Sequence, residues 1–246
     1  MPSARNLKTP NPLNADMDPK ELLEHMQRNR LLAALLEHDR EQLIRGMELI
    51  SLAPRQHLYR AGEQIQFIYF PTSGVVSLVH QMVNGATAEV AVIGCEGLVG
   101  LNLLLGATTP ADSAIVQVAG EGLRMTGAIL VARCERVGRV RQVVLRYAES
   151  LLRHISRTAA CNRLHSVEQR LCKWLLMCLD RTGSTILIMT QEHIATLLGD
   201  RRETITAAEQ VLQNAGILSY SRGHLSVLDR AGLEARTCEC YAAMPW

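Results

Sequence analysis

The sequence predicts an α+β protein: a small antiparallel β-roll, a long helix, and a C-terminal winged helix-turn-helix. Three observations predict it. Short runs rich in Val, Ile and Tyr, punctuated by glycines, fill the stretch from Leu49 to Thr126, the texture of a small barrel or roll. Apolar residues recur at helical spacing from about Gly138 to Asn162. Two short helical patterns meeting at Gly199, then a strand-turn-strand, follow from Gln191 to Leu228, which is the order of a helix-turn-helix with a wing.

Bulk properties bound the function classes. The chain has 246 residues and is 48% hydrophobic, enough for two modest domains with their own cores. A formal net charge of +2 names no partner by itself, because a DNA binder needs basic groups on one face and not throughout. An aromatic content of 4% argues against single-strand binders that stack bases. No apolar run approaches a membrane span, and Met1 to Lys20 lacks the apolar core of a signal peptide. The cysteines, 7 in number, are irregularly spaced. The expectation is a cytoplasmic protein with reduced thiols and no membrane partner.

The expected organisation has four parts. Residues 1–18, rich in Pro, Asn and Asp, form a disordered tail. Residues 19–137 form a sensor roll with flanking helices. Residues 138–162 form a dimerisation helix. Residues 163–246 form the DNA-binding domain.

Within the second part, a helical pattern runs from Pro19 through Leu22, Met26, Leu31, Leu32, Leu35 and Leu36. Asp39 then opens a short helix with Leu43 and Met47 on one side. Strands are expected at Ile50–Leu52, His57–Tyr59, Phe67–Phe70, Val75–His80, Glu89–Ile93, Ile115–Val118 and Leu123–Thr126. Asn84-Gly85 suits a two-residue hairpin turn whose central positions both need positive φ.

The long helix carries two stripes. Val140, Val144, Tyr147, Leu151, His154, Thr158 and Cys161 alternate at spacings of four and three, a heptad seam. Leu145, Ala148, Leu152, Ile155 and Ala159 lie beside it. One stripe packs on the roll and the other on a second copy of the helix. The expected dimer face is the seam of Val140, Val144, Tyr147, Leu151, His154 and Thr158, which makes the protein a homodimer. The competing reading is a single amphipathic core helix.

Helices are expected at Val167–Leu179, Gln191–Leu198 and Arg201–Asn214. A hairpin follows, with strands Ile217–Ser221 and His224–Leu228 about a turn at Arg222-Gly223. Two helices crossing steeply need a small residue at the crossing, Ala195, and a residue tolerating positive φ at the turn, Gly199. Ile194, Leu198, Ile205 and Ala208 bury the inner faces. Asp200 stands where an apolar residue is usual, and the expectation is that it caps the second helix with Glu203 completing a capping box. In such a unit the second helix enters the major groove of double-stranded DNA. Arg201, Arg202, Glu203 and Thr204 begin that helix, and Thr206 and Gln210 follow along it. Arginine pairs bidentately with guanine and glutamate accepts from cytosine, so the Arg-Glu pair suits a G·C-containing half-site. In the wing, Ser221, Arg222 and His224 are candidates for phosphate contact.

The order of roll, long helix and winged helix resembles the cyclic-AMP-receptor/FNR (Crp/Fnr) family of bacterial regulators. The resemblance covers roughly Leu31 to Leu233 and is carried by YFPTSGVVSLV at Tyr69–Val79, IGCEGLVGLNLLLG at Ile93–Gly106 and TQEHIATLLGDRRETIT at Thr190–Thr206. It implies a cyclic-nucleotide-binding-like β-roll (jelly-roll), a homodimer, RNA polymerase as a candidate partner, and base reading by Arg202 and Glu203. A further family arginine would fall at Ala207.

In members that bind cyclic AMP, a Gly-Glu pair holds the ribose and an Arg-Ser pair holds the phosphate. Those places fall at Gly100-Leu101 and Asp112-Ser113, which make up the expected effector pocket. Leu101 cannot accept from a hydroxyl, and Asp112 would repel a phosphate. The loss should reach on the order of a thousandfold in affinity, so cyclic AMP is not the expected effector. No arginine occurs between Val99 and Gly120, and Arg124 comes too late to substitute. An iron–sulfur site of the FNR kind is not expected, because no cysteine precedes Cys95. Haem ligation by His80 or His154, and thiol sensing by Cys95, are weaker readings than structural or solvated roles. Cys238-Glu239-Cys240 has the look of half a metal site, but no second pair is within obvious reach along the sequence. The expectation is no cofactor and no metal. With no phosphate loop, nucleophile elbow or zinc-protease motif, an enzyme is not expected. The competing class is a signalling module of the same build that acts through protein contacts.

Overall fold

The computed structural model describes residues 13, 18–135 and 138–242. The expected tail over 1–18 lies outside the described residues except for Leu13 and Asp18. The chain divides into two compact units. One comprises residues 1–76 and 93–147; the other comprises 77–92 and 148–246.

In the first unit, helix α1 (Pro19–Arg28) starts on Asp18, whose carboxylate accepts from the Lys20 amide at 3.0 Å. The expected continuous helix to Leu36 is broken at Asn29. Its backbone is extended (φ −94°, ψ 117°), and its side-chain oxygen accepts from the Leu32 amide to start α2 (Arg30–Ala33). Its amide nitrogen donates to the carbonyls of Pro71 (2.9 Å) and Gly97 (2.8 Å). A fully buried Asn with every donor and acceptor used outcompetes the helical register. Helix α3 (Glu37–Ile44) starts earlier than expected, and Met47 opens a strand and does not extend that helix.

Strands β1 (Met47–Leu52), β2 (His57–Tyr59) and β3 (Phe67–Pro71) lie near their expected places. So do β6 (Ser113–Val118) and β7 (Gly120–Thr126), numbered after two strands that come between. Strand β7 is central to a sheet of order β1-β7-β3, antiparallel on both sides, with Met47 opposite Met125 and Phe67 opposite Thr126. Strand β2 pairs with β6. Ile68, Phe70 and Leu123 share one face of the β1-β7-β3 sheet and Ile50 lies on the other, and all four are wholly buried. Helix α4 (Gly127–Glu135) follows, and α5 (Arg139–Leu164) is the long helix.

The division between units runs through β4 (Val75–Gln81), whose hairpin with β5 (Thr87–Ile93) belongs mostly to the second unit. The expected two-residue Asn84-Gly85 turn is instead a three-residue loop. Met82 N–H donates to the Ala86 carbonyl, Gly85 N–H donates to Met82, and only Gly85 has positive φ (+87°). That is a type I turn closed by a glycine bulge, in which Asn84 serves by accepting from the Ala86 amide.

Helix α6 (Val167–Thr182) opens with a full capping box between Ser166 and Gln169. It is buried along almost its whole length and carries three buried cations, Arg170, Lys173 and Arg181. After it come β8 (Ile186–Ile188), α7 (Gln191–Leu198), α8 (Arg202–Asn214), β9 (Leu218–Ser221), β10 (His224–Val227) and α9 (Arg230–Arg236). Strand β8, unexpected from the sequence, pairs with β10 and makes the wing three-stranded in the order β8-β10-β9.

Part of the expected seam on the long helix is covered within one chain. The seam residues Val140, Val144 and His154 are 8%, 4% and 6% exposed within a single chain, and Tyr147, Leu151 and Thr158 are half-buried. Tyr147 donates to the Leu98 carbonyl at 2.9 Å, and a Cβ on Gly97 would collide with its ring. His154 Nε2 accepts from the Val92 amide at 3.3 Å, and burial together with Arg181 and Lys173 holds the ring neutral, with its pKa pushed down to about 3. In the neighbouring stripe Leu145 and Leu152 are 50% and 66% exposed, whereas Ala148 is buried at 8%. Half of the expected seam is therefore buried within one chain, and the other half is half-buried. Both stripes are apolar at coiled-coil spacing, so periodicity alone did not say which faces inward.

Candidate nucleic-acid interface

Helix α7 starts on Thr190, whose hydroxyl accepts from the His193 amide at 3.2 Å. It ends on Gly199, at φ +64°, whose amide reaches the Ala195 carbonyl. Ala195, Ile194, Leu198, Ile205 and Ala208 are all buried, as the crossing of two helices requires. Helix α8 then projects from the turn.

Asp200 does not cap α8. The cap position is Arg201, with extended backbone and no side-chain hydrogen bond, so the capping box with Glu203 is absent. The Asp200 carboxylate instead accepts from Arg170 Nη2 at 2.6 Å and from the Arg201 amide at 3.0 Å. Arg170 Nη1 also donates to the Leu198 carbonyl at 2.9 Å. Burial disfavours ionisation of Asp200, but the Arg201 amide, Arg170 and the Thr204 hydroxyl together hold its carboxyl below the ordinary range. One guanidinium thus grips both sides of the turn. Sequence reasoning missed Arg170; the available signal was a cation inside the apolar run of α6, which demands a partner.

The expected reading residues Arg201, Arg202, Glu203, Thr204, Thr206 and Gln210 are all exposed; Arg201 to Thr206 lie at the start of α8 and Gln210 in its second half. Thr206 Oγ1 lies 3.0 Å from both the Arg202 carbonyl and Gln191 Oε1. Gln210 donates to Asn214 at 2.9 Å. Gln191 also donates to the buried Glu209 at 2.5 Å, so it ties α7 to α8 behind the exposed face. In the wing, Ser221, Arg222 and His224 are exposed. Arg222 (φ +50°) and Gly223 (φ +83°) both have positive φ, the requirement of the tight hairpin turn that puts Arg222 at the wing tip.

The effector residues form a different picture. Gly100 (φ +100°) starts a short 3-10 turn, Leu101–Leu105, and Leu101 is buried at its first position. Asp112 is half-buried, and its charge, after burial itself, helps hold Tyr59 protonated. Ser113 Oγ accepts from the Ala61 amide at 3.0 Å. Arg124 pairs with Glu48 at 2.6 Å and lies 4.6 Å over the Phe67 ring, so it is held on the sheet. A cavity of about 460 Å³ opens nearby, lined by Leu103, Leu104, Val131, Cys134, Arg141 and Leu145 among others; none of the four expected effector residues lines it.

A small β-roll and a winged helix-turn-helix define a two-module DNA-binding protein. The family model for the cyclic nucleotide-binding domain matches residues 49–136, and that for the Crp-like helix-turn-helix domain matches residues 169–236. The protein belongs to the Crp/Fnr family of DNA-binding transcription regulators. Comparison with curated protein sequences gives no significant match. Among solved structures, FixK2 from Bradyrhizobium japonicum is similar, with a TM-score of 0.66 at 17% identity over 78% of this chain and 98% of that one. A CRP-family transcriptional regulator from Thermus thermophilus, TTHB099, gives 0.62 at 18% identity over 76% and 95%. The c-di-GMP-responsive global regulator CLP of Xanthomonas campestris gives 0.60 at 18% identity over 76% and 96%. At these identities the likeness establishes the fold. Among the described residues no helix is long and apolar enough to cross a membrane.

Proposed function

We propose that the protein acts in the cytoplasm as a homodimer that reads a two-fold-symmetric DNA site and contacts RNA polymerase, with a sensor roll that does not take cyclic AMP. The observation that carries the DNA reading is the joint exposure of Arg201, Arg202, Glu203, Thr204, Thr206 and Gln210 along α8, with Arg222 and His224 on the wing. Arg202 and Glu203 read base edges; Arg222 and His224 meet phosphates. Dimerisation uses the face of Leu145, Leu152 and Ala159, because these residues stay uncovered in one chain. The case against cyclic AMP is the buried Leu101 and the acidic Asp112 where a ribose acceptor and a phosphate-binding cation are needed.

Selection of bound duplexes from a random pool tests the first part. The expected product is a palindrome with half-sites about one helical turn apart. Full-affinity monomeric binding to an isolated half-site would overturn it. Calorimetric titration with cyclic AMP tests the second part, and micromolar binding would refute it.

A further inference from the structure

The expectation that Cys238 and Cys240 lack partners is corrected by the fold. Cys161 and His165, separated by one helical turn at the end of α5, come together with Cys238 and Cys240 on the segment after α9. One ligand atom from each of the four lies within 4.8 Å of all the others. Cys161, Cys238 and Cys240 are 0%, 3% and 7% exposed and form a buried cluster of their own.

We propose that Cys161, His165, Cys238 and Cys240 form a Cys3His site for a tetrahedral, thiophilic divalent cation, zinc by preference. The spacings already fit. Zinc–sulfur and zinc–nitrogen bonds of about 2.3 and 2.0–2.1 Å put the edges of a tetrahedron at about 3.8 Å for S···S and about 3.6 Å for S···N. Cys161 Sγ and Cys238 Sγ are 3.6 Å apart, and Cys240 Sγ and His165 Nδ1 are 3.7 Å apart.

The surroundings fit as well. His165 presents Nδ1 to the thiols, while its Nε2 lies 3.2 Å from the Glu239 carboxylate. A metal-binding histidine commonly gives its other ring N–H to a carboxylate, which fixes the tautomer and orients the ring. Three thiolates and a neutral imidazole around a dication leave one net negative charge. The buried Lys173 ammonium, hydrogen-bonded to Cys161, sits where it neutralises that charge. Binding releases the three thiol protons to solvent and changes no oxidation state. The first pair, with three residues between Cys161 and His165, has ordinary ligand spacing; the second, with one residue between the cysteines, is tighter than usual. All four positions are filled by protein, which marks a structural site. The ion would join the end of the long helix to the segment after α9, beside Ser166, which starts α6.

The test uses the full-length, untagged chain purified under reducing, anaerobic conditions. Metal analysis should find one zinc per chain. Cobalt(II) added to the metal-free protein should give an intense thiolate-to-cobalt charge-transfer band with tetrahedral ligand-field bands, saturating at one equivalent. The double variant Cys238→Ser/Cys240→Ser should lose both signals, whereas Cys134→Ser, outside the cluster, should keep them. The cobalt spectrum of the unaltered chain keeps the proposal testable even where a variant folds poorly. No cobalt uptake at micromolar metal, an octahedral spectrum without charge transfer, or retention of zinc by the double variant would each overturn the site. So would a Cys161–Cys238 disulfide found by mass spectrometry in the protein as isolated.

Discussion

Arg170 and Asp200 form an ion pair of 2.6 Å that ties the first turn of α6 to the turn of the helix-turn-helix. The same guanidinium holds the Leu198 carbonyl. The angle at which α8 leaves α7 is thus fixed by a residue buried beneath the turn.

Asp200→Ala should cost about 1–3 kcal/mol in unfolding free energy, because it strands a largely buried guanidinium. Because the Asp200 carboxyl is held below its unfolded value of 3.8, the pair's stabilisation is present above that pH and is lost on acidification. Chemical denaturation near neutral and acidic pH checks both statements. Equal stability of variant and parent near neutrality would show that the ion pair contributes nothing.

Glu89 on β5 is the group whose ionisation should oppose stability. Burial pushes its carboxyl up to about 7, against hydrogen bonds from Ser77 and Trp174 and attraction from Lys173 and Arg181. The folded pKa lies above the unfolded value of 4.5, so stability is full below that pH and declines as pH rises through about 7. The difference is worth up to about 3 kcal/mol. Glu89→Gln keeps an acceptor for both donors and should flatten the stability profile between about pH 5 and pH 8. Thermal melts across that range decide it; an unchanged slope in the variant would refute the assignment.

Arg202 and Arg222 should fail differently when removed. Arg202→Ala should cost roughly 1–3 kcal/mol on the selected site and relax preference at one base pair. Arg222→Ala should weaken all duplexes similarly and flatten the salt dependence by about one counterion. Titrations of cognate and scrambled duplexes at several salt concentrations separate the roles, and the opposite pattern would reverse them.

Leu152→Glu should shift the chain to monomer at concentrations where the parent is dimeric. It should change unfolding free energy by no more than about 0.5 kcal/mol beyond the lost association, since Leu152 is 66% exposed. Val144→Glu, at a position 4% exposed, should destabilise the fold itself. Sedimentation with chemical denaturation tests the pair. A dimer unmoved by Leu152→Glu would place the interface elsewhere.

Much of the architecture was legible in the sequence because it rests on local rules. Strand runs between glycines, the Ala195 crossing, the Gly199 turn and the Arg222-Gly223 hairpin each follow from backbone sterics over a few residues. The exposed residues of α8 follow from helical periodicity once the inner face of Ile205 and Ala208 is recognised.

By itself, then, the sequence determined the order of most elements and the exposed face of α8, since contacts close along the chain decide both. Tertiary structure alone decided which stripe of α5 is covered, that Asp200 answers Arg170 instead of capping α8, and that β8 joins the wing. It also decided that Cys161 and His165 meet Cys238 and Cys240 across more than seventy residues. Each of these pairs partners distant in sequence, and local spacing carries no record of which distant groups a fold will bring within bonding distance.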